Sequence, residues 1–594
     1  MDTPTQASAR SARDELSFAR SLFFGDIREE LVFPYPEVLD DEGREMLEML
    51  LEPVRKFMQN RVDSEAIDKQ CKIPEDVLEE LKALGLFGLQ IPEELGGLGL
   101  SNTAYARVFE VVSAYNASVA VTLGGHQSIG LKGILLFGTD AQKQKYLPKL
   151  ATGEWVAAFA LTEPSSGSDA ASIRSRAELS DDGKHWVLNG GKIWITNGGF
   201  ADVFTVFAQT PVERNGKTED RVTAFIVERS FEGVSSGAEE QKLGIKGSST
   251  TAVYFENVRV PVENVIGEVG GGFKVAMTIL NNGRFGLAAG AIGGMKRVIK
   301  AAAAHASTRK QFGKELREFE LIQKKFAQMS LLVYAAESMT YMTCGLMDTG
   351  AGDYALEAAM CKVFASEANW TVINETMQVM GGAGYMKEYP FERFLRDSRI
   401  MSIFEGTNEI LRLFIALSGI QGPGEHLREL VQAIRDPLQN YGMLLTELAQ
   451  RVRDRFRREQ IERAHPSLKR SAVQVEEQTV AFGQAIETML RKYGKSIIDR
   501  QMLLERVADV AIDLYGMVAV LSRTTRSLER NLPGADHERV LATEFCEQAS
   551  RRIRRNLRSI EHAKQNGDDA LRKIAGDLFV HGEWIPRHPL EAKS

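Results

Sequence analysis

Apolar residues recur at three- and four-residue spacing through residues 40–150, and that spacing is typical of amphipathic helices. Met46, Leu50 and Val54 form the first such stripe. The segment 92–100 interrupts the pattern with one proline and three glycines, which favour a turn. We therefore predict an N-terminal domain built from several helices.

Between residues 155 and 265 the pattern changes to short runs of β-branched and aromatic residues, of which 203–207 and 224–227 are examples. Gly, Asn, Asp and Pro separate the runs, as they do between strands. The tripeptide 189–191 (Asn-Gly-Gly) lies between two runs and predicts a tight hairpin, because these residues tolerate positive φ. A compact β-domain is expected to interrupt a helical protein.

Helical spacing returns from about residue 272 to 418, where Ile410, Leu413 and Leu417 share one face of a helix. The segment 421–424 (Gln-Gly-Pro-Gly) predicts a break after that helix. A second long stripe lies further on, at Leu503, Val507, Val510, Leu514, Met517 and Leu521. It predicts an added helical domain.

The predicted fold class is mainly α, with a middle β-domain and a C-terminal helical extension. The changes of pattern divide the chain into an N-terminal segment 1–39, a helical domain 40–158, a β-domain 159–266, a helical domain 267–420, a linker with a basic segment 421–475 and a further helical domain 476–594. At 594 residues the chain is too long for one hydrophobic core, which agrees with several domains.

Charge and composition narrow the function classes. The formal net charge of −7 argues against a nucleic-acid binder. The nine histidines show no HxxxH spacing, so we predict no metal site. Four cysteines without a CxxC pair suit a reducing compartment. Because no signal peptide is visible and no apolar run reaches the ~18 residues that a membrane span needs, a cytoplasmic protein is expected.

Two clusters could hold a cofactor. In residues 159–169 a strand leads into a loop rich in Pro, Ser and Gly, whose hydroxyls and free amides could bind a phosphate or a flavin edge. An ordinary polar loop has the same composition. In residues 194–198 a tryptophan is followed by a threonine at the end of a strand. A tryptophan buried in the core is the alternative interpretation there.

A third cluster, residues 403–410, contains a carboxylate in a short connection between helices. Thr407 is the predicted N-cap of the helix that follows, and Glu405 lies just before it. Most loop glutamates are solvated, but a dry pocket would raise the pKa of Glu405 and make it a usable base. The adjacent helix N-terminus would oppose that shift, so the sequence leaves the direction open.

Five clusters occur in the order and approximate spacing of the acyl-CoA dehydrogenase family: Phe159–Asp169, Trp194–Gly198, Arg309–Gly313, Gln378–Gly384 and Phe404–Thr407. The resemblance covers about residues 40 to 420. Residues 33–36 (Phe-Pro-Tyr-Pro) and the C-terminal domain resemble the branch of that family that acts on very long acyl chains.

The resemblance implies a helical domain, a β-domain and a four-helix domain, with FAD bound between the last two. Positions that match the family's cofactor contacts are Phe159, Leu161, Thr162, Gly167, Ser168, Trp194, Thr196, Arg309, Phe312, Gln378, Gly381, Gly382, Thr407 and Glu409. Arg309 and Phe312 match positions that reach the FAD of the neighbouring subunit. Such a shared site implies a homodimer.

By the same resemblance, Glu405 is the base that removes the α-proton. A related branch places its base immediately before an arginine that matches Arg284, and this chain has Gly283 there. The implied substrate positions are Gly124, Gly125, Ser168, Asn281, Arg284 and Gly406. The two glycines at 124 and 125 match the bottom of the acyl pocket and favour a long chain, although a helix break or close helix packing explains them equally well.

The implied reaction is α,β-dehydrogenation of a long-chain or very-long-chain acyl-CoA to trans-2-enoyl-CoA in fatty acid β-oxidation. FAD takes the hydride and passes electrons to electron-transferring flavoprotein. An acyl-CoA oxidase that uses oxygen, and a family member with an assembly role, are the alternatives.

Residues 451–470 carry eight Arg and Lys against three acids. Such a run is usually a solvated face or a linker. The resemblance also makes it a candidate for peripheral contact with anionic lipid. The implied location is cytoplasmic, at the inner face of the membrane where that contact forms, or mitochondrial in a eukaryote.

Overall fold

The structure is a computed structural model that describes residues 16–37, 39–214, 216–435, 461–562 and 567–586. The N-terminal segment contains α1 (Phe18–Leu22) and α2 (Glu29–Val32). The predicted helical domain follows, with α3 (Asp41–Asn60), α4 (Ser64–Gln70), α5 (Glu75–Ala83), α6 (Asn102–Tyr115), α7 (Ala117–Gly124), α8 (Lys132–Phe137) and α9 (Asp140–Thr152). A π-helical turn, Gly125–Gly130, joins α7 to α8.

The helix α3 is where the sequence predicts it, but its buried face is turned slightly. Leu47, Leu51 and Val54 are buried, whereas Met46 is 65% exposed. The apolar stripe therefore runs one residue further along than Met46 and Leu50 suggest. Methionine and leucine occupy both faces of α3, so residue type alone does not select the buried face.

The middle region is a sheet of eight strands in the order β6-β7-β3-β2-β4-β5-β8, with β1 paired to β4. The strands are β1 (Ala157–Ala160), β2 (Arg176–Leu179), β3 (His185–Thr196), β4 (Val203–Arg214), β5 (Lys217–Glu228), β6 (Val234–Glu239), β7 (Thr250–Pro261) and β8 (Val265–Ile266). Alternate residues of β4 enter different cores: Val203 and Phe207 join one, Phe204 and Val206 the other. Because both faces are buried, the run is apolar without alternation.

The hairpin predicted at residues 189–191 is wrong. Strand β3 runs through them without a break, with a register shift against β7. A Cβ on Gly190 would lie 2.2 Å from Ser175 Oγ, so this glycine permits a close approach of the neighbouring chain. The turn lies instead between β2 and β3, where Gly183 has a φ of 67°.

The next region has four long helices, as the resemblance implies. It contains α10 (Gly272–Thr308), β9 (Lys310–Gln311), β10 (Lys314–Glu315), α11 (Glu320–Asp348), α12 (Ala355–Met380), α13 (Gly382–Tyr385), α14 (Phe391–Ser398) and α15 (Asn408–Arg435). Helix α10 packs against α11 and α12, and α12 packs against α15. The predicted fold class, mainly α with a middle sheet, is confirmed.

The C-terminal extension contains α16 (Lys469–Tyr493), α17 (Gln501–Glu529), α18 (Ala535–Glu561) and α19 (Asp568–His581). Every member of the stripe predicted between Leu503 and Leu521 is buried. Helix α17 packs against α11, α15 and α18, which buries it on all sides. Short 3-10 helices link longer elements at Glu93–Leu95, Ala170–Ser172, Val262–Asn264, Leu316–Glu318, Arg399–Ser402, Pro466–Leu468 and Gly494–Asp499.

The break predicted at residues 421–424 is wrong, because α15 continues through it. A Cβ on Gly419 would lie 2.2 Å from the Phe23 ring, and one on Gly422 would lie 2.9 Å from the Phe24 ring. Glycine therefore makes room here for aromatic rings of the N-terminal segment. The boundaries predicted at 420/421, 475/476 and 158/159 fall inside α15, α16 and β1, so the chain crosses them as regular structure.

The N-terminal segment binds both the four-helix region and the extension. The Phe23 ring lies 5.1 Å from the Phe482 ring of α16. The Ala19 N–H donates to Glu357 Oε1 of α12 at 2.8 Å. The Ser522 hydroxyl of α17 donates to the Val32 carbonyl. These contacts join the first part of the chain to residues that follow it by more than 300 positions.

Half of the basic segment can be described. Residues 451–460 lie outside the described residues, and the helix α16 begins just before residue 470. Arg463 Nη1 donates to the Phe33 carbonyl at 2.6 Å, and its Nε lies 3.9 Å from a Glu29 carboxylate oxygen. This arginine therefore serves contacts within the chain. Within the described parts, the helices are too short or too polar to cross a membrane.

The glycines of α15 allow a paired stability test. Gly419→Ala should lower the free energy of unfolding by about 1–3 kcal/mol, because the new methyl overlaps the buried Phe23 ring. Gly424→Ala should be neutral or stabilising by up to about 1 kcal/mol, since only a Leu490 methyl lies near its Cβ, at 3.9 Å. Scanning calorimetry of both variants measures the difference, and equal melting temperatures would contradict this packing.

Candidate active site

A pocket of about 400 Å³ lies where the sheet, α7, α10, α12 and α15 meet; we call it the central pocket. Its size is that of a site for a small molecule. Most of the lining is apolar, and it includes many of the residues that the sequence singles out. The central pocket brings together Gly124, Gly125, Phe159, Leu161, Thr162, Gly167, Ser168, Trp194, Thr196, Asn281, Arg284, Glu405 and Gly406.

Glu405 lies in a tight turn between the 3-10 helix Arg399–Ser402 and α15. The φ angles of Glu405 and Gly406 are 57° and 92°, so two successive residues are left-handed. The Thr407 hydroxyl accepts a hydrogen bond from the Ile410 N–H at 3.3 Å, and α15 begins directly after Thr407. The prediction that Thr407 is the N-cap is confirmed.

The Glu405 carboxylate faces the central pocket in an apolar setting. A Cβ on Gly283 would lie 3.3 Å from both of its oxygens, so the backbone of α10 packs directly against the carboxylate. Oε2 is buried and has no hydrogen-bond partner among the described residues. Burial raises the pKa of Glu405 to about 7, against the opposing charges of Arg284 and Lys362. The sequence leaves open whether the pKa of Glu405 is raised or lowered, and in the structure it is raised.

Two buried cations stand beside this turn. Arg284 Nη1 donates to Asn281 Oδ1 at 2.5 Å, its Nε approaches the Glu405 carbonyl at 3.5 Å, and burial lowers its pKa to about 10. Lys362 Nζ donates to the Gly406 carbonyl at 2.8 Å, and burial lowers its pKa to about 8. Sequence reasoning finds Arg284 but misses Lys362, because a lone lysine within a helix of ordinary composition carries no signal.

The tryptophan of the second cluster is not a core residue. Trp194 is 63% exposed, has a φ of 58° and lines the central pocket, so its buried interpretation is wrong. The threonine two residues on, Thr196, also lines the pocket. Its Cγ2 would lie 2.6 Å from a Cβ on Gly125. Close packing explains Gly125, as the alternative interpretation proposes, while Gly124 meets Phe109 at the pocket wall.

A buried ion pair stabilises the loop of the first cluster, residues 159–169. Glu163 accepts from the Arg174 and Ser175 N–H groups at 2.5 and 3.0 Å and pairs with Lys192 Nζ at 2.6 Å. Burial lowers the pKa of Lys192 to about 8. The exposed end of the loop carries Ser168 and Gly167, where a Cβ would meet nothing within 4 Å. The loop is therefore fixed by contacts at Glu163 and leaves open space at Gly167.

One wall of the central pocket is formed by glycines of α10, and the sequence analysis did not predict it. Gly286, Gly290 and Gly294 line it at four-residue spacing, on one face of the helix. A Cβ on Gly290 would lie 2.7 Å from Ser113 Oγ, whereas one on Gly294 would have no neighbour closer than 3.9 Å, so space is left at Gly294. The spacing of these glycines was the signal that could have found them.

The remaining predicted residues do not line the central pocket of their own chain. Phe312 is 94% exposed at the tip of the β9–β10 hairpin, beside Arg309. Directly after the C-terminal end of α12, Gly381 has a φ of 60°. A Cβ on Gly381 or Gly382 would meet nothing within 4 Å. Gln378, Gly381, Gly382, Arg309, Phe312 and Glu409 are exposed, and Thr407 is half-buried.

Comparison with family models gives a match along most of the chain. Models described as the N-terminal, middle and C-terminal domains of acyl-CoA dehydrogenase match residues 44–154, 158–258 and 270–419. A model described as "ACAD9/ACADV, C-terminal domain" matches residues 466–584.

Known proteins resemble the chain over nearly its full length. The very long-chain specific acyl-CoA dehydrogenase, mitochondrial, of Bos taurus is 50% identical, covering 99% of this chain and 91% of that protein. The Homo sapiens protein of the same name is 51% identical over 97% and 89%. A crystal structure of acyl-CoA dehydrogenase complexed with FAD from Bacillus anthracis has a TM-score of 0.78 at 35% identity, covering 96% of each chain.

The raised pKa of Glu405 predicts a pH-dependent stability. The folded carboxyl keeps its proton to about pH 7 and the unfolded one only to 4.5, so this stabilising contribution is complete below 4.5 and is lost as pH rises through 7. The stability of the wild type relative to Glu405→Gln should fall by about 1.4 kcal/mol per pH unit across that window. Melting curves of both proteins test this, and a difference independent of pH would contradict it.

Proposed function

This chain belongs to the acyl-CoA dehydrogenase family, and from that membership we propose that it is an FAD-dependent dehydrogenase of long-chain acyl-CoA in fatty acid β-oxidation. The product is trans-2-enoyl-CoA. The observation that carries the proposal is Glu405, a carboxylate with a pKa near 7 that faces an apolar pocket of suitable size. Such a group is a general base at neutral pH.

Glu405 takes the α-proton of the thioester. That proton is a weak acid until donors aimed at the carbonyl oxygen stabilise the developing enolate. By resemblance, the backbone N–H of Glu405 is one of these donors. The left-handed turn fixes the direction of that N–H, and the Arg284 guanidinium adds positive charge beside it. The mostly apolar lining lowers the polarity around the reacting atoms.

The residues present fit FAD. Trp194 presents an exposed indole to the pocket, and Thr162 and Thr196 also line it. The open space at Gly167 leaves room for a large group. Trp194 would cover the flavin ring, and the two threonines would hydrogen-bond it. When bound, FAD accepts the β-hydrogen as hydride.

A long acyl chain suits the glycine-lined wall of the central pocket. Gly294 of α10 lines it, and a Cβ there would have no neighbour closer than 3.9 Å, so a missing side chain leaves space in the pocket at this position. The mammalian relatives that match nearly the whole chain are named very long-chain specific. We infer a preference for long or very long acyl chains.

A homodimer completes the site in this proposal. Arg309, Phe312, Gln378, Gly381 and Gly382 lie on exposed surfaces and do not line the central pocket of their own chain. Exposed aromatic groups and open glycine backbone suit contact with a large ligand of a second subunit. We place them at the FAD of the neighbouring subunit.

Location and membrane contact are proposals that rest on the resemblance. The mammalian relatives are named as mitochondrial. We propose that this protein is cytoplasmic, or mitochondrial in a eukaryote, with peripheral contact at the inner face of the membrane through residues 451–470. Electron-transferring flavoprotein is the proposed acceptor, and an acyl-CoA oxidase that uses oxygen is the alternative.

Anaerobic titration of the purified protein with acyl-CoAs of increasing length tests the proposal. The oxidised flavin absorption should bleach, most strongly with long chains. Glu405→Gln should retain FAD and bind acyl-CoA, but its flavin should be reduced more slowly by about a hundredfold or more. Absence of bound flavin would overturn the proposal, and rapid reduction of the variant would exclude Glu405 as the base. Turnover with oxygen or with electron-transferring flavoprotein then identifies the acceptor.

A surface substitution tests the shared site. Phe312→Ser should weaken retention of FAD by about tenfold or more and favour monomers, because an exposed aromatic side chain would leave a subunit interface. Val580→Ser is the matched control, since Val580 is also exposed, at 83%, but lies on α19. Sedimentation velocity and the flavin-to-protein ratio measure both effects. Unchanged values for Phe312→Ser would contradict the proposed interface.

A further inference from the structure

Lys362 on α12 is a buried cation that the proposed mechanism does not use. Its side chain is fully buried, and Nζ donates to two acceptors, the Gly406 carbonyl at 2.8 Å and Asn408 Oδ1 at 2.9 Å. Both acceptors lie within three residues of Glu405. The lysine therefore bonds one backbone and one side-chain acceptor in the same short stretch, the turn that carries the proposed base.

Burial makes a lysine costly at this position. Desolvation lowers the pKa of Lys362 to about 8, although the negative charge of Glu405 opposes this. A methionine would fill a similar volume without that cost, since buried charges stabilise a fold poorly compared with apolar side chains. A role in packing alone therefore does not explain the lysine.

The turn needs external support. Glu405 is a non-glycine residue with a φ of 57°, and such conformations cost of the order of 1–3 kcal/mol unless the surroundings fix them. Three groups hold this turn: Thr407 through its cap, Arg284 through the Glu405 carbonyl and Lys362 through the Gly406 carbonyl. The bond from Arg284 is long, at 3.5 Å, which leaves Lys362 as the stronger brace.

The brace continues into the extension. Asn408 Nδ2 donates to Glu367 Oε1 at 3.1 Å, and Glu367 receives two bonds from Arg412, at 2.6 and 3.0 Å. Arg412 Nε also donates to Asp509 Oδ1 of α17 at 2.8 Å. Helix α15 begins three residues after Glu405. These hydrogen bonds connect it to α12 on one side and to α17 on the other.

We propose that Lys362 is a positioning residue for proton abstraction: its bonds to Gly406 and Asn408 fix the turn that aims the carboxylate and the backbone N–H of Glu405. This role rests on the proposed function. The positive charge of Lys362 also favours the ionised form of Glu405. The titratable groups that face the pair are Arg284 on α10, Glu367 on α12, Glu409 on α15 and Tyr105 on α6.

The test compares Lys362→Met with Lys132→Met in the FAD-loaded protein. Lys132 is a matched control because it is also buried, its pKa is also about 8, and its Nζ bonds Gln90 Oε1 away from the central pocket. Lys362→Met should retain FAD and acyl-CoA affinity but reduce flavin about tenfold or more slowly. The pH midpoint of reduction should rise by about one unit or more. Lys132→Met should reduce flavin at the wild-type rate.

A second readout needs no turnover. The pH dependence of melting, compared between Lys362→Met and Lys362→Met/Glu405→Gln, reports the pKa of Glu405, which should lie above the wild-type value. Lys362→Gln keeps a hydrogen-bond donor but removes the charge. If Lys362→Met does not fold, the flavin reduction rate and the Glu405 pKa of Lys362→Gln are measured instead. Wild-type rates and an unshifted pKa in these variants would overturn the role of Lys362. Failure of acyl-CoA to bleach the wild-type flavin would instead overturn the proposed function.

Discussion

The central pocket depends on one unfavourable arrangement, a carboxylate held away from water. Desolvation raises the pKa of Glu405 to the value that a base needs at neutral pH, while Arg284 and Lys362 keep the ionised form accessible. Each side of the turn supplies part of this balance: Gly283 brings backbone against the carboxylate, and the left-handed turn points it into the pocket. Without the cations, the same burial would keep the group protonated.

The sequence predicts the fold class and most of the pocket because those features depend on patterns that short segments carry. Apolar spacing locates the helices, β-rich runs locate the sheet, and Thr407 marks the start of α15. The electrostatic partners could not be predicted in this way. Lys362 and the Glu163–Lys192 pair acquire their roles from residues 29 to 46 positions distant, and no local pattern records such contacts.

Glycine accounts for the clearest errors. In residues 189–191 and 421–424 the sequence suggests turns, yet the backbone there is a strand and a helix. At Gly190 and Gly422 the missing side chain is required by a neighbour, Ser175 in one case and Phe24 in the other. A glycine that permits a turn and a glycine that permits a close contact have the same appearance in one sequence. Only the position of the neighbouring chain separates the two.

The N-terminal segment has a consequence for biosynthesis. Its Phe23 ring packs against Phe482, and its Val32 carbonyl accepts a bond from Ser522, so its binding surface is completed only when α16 and α17 have left the ribosome. Phe23 and Val32 are therefore translated before these partners, and their packing surface stays incomplete until α16 and α17 emerge. Contacts this distant in sequence form late and slowly. The order of synthesis and the order of assembly are opposed at this end of the molecule.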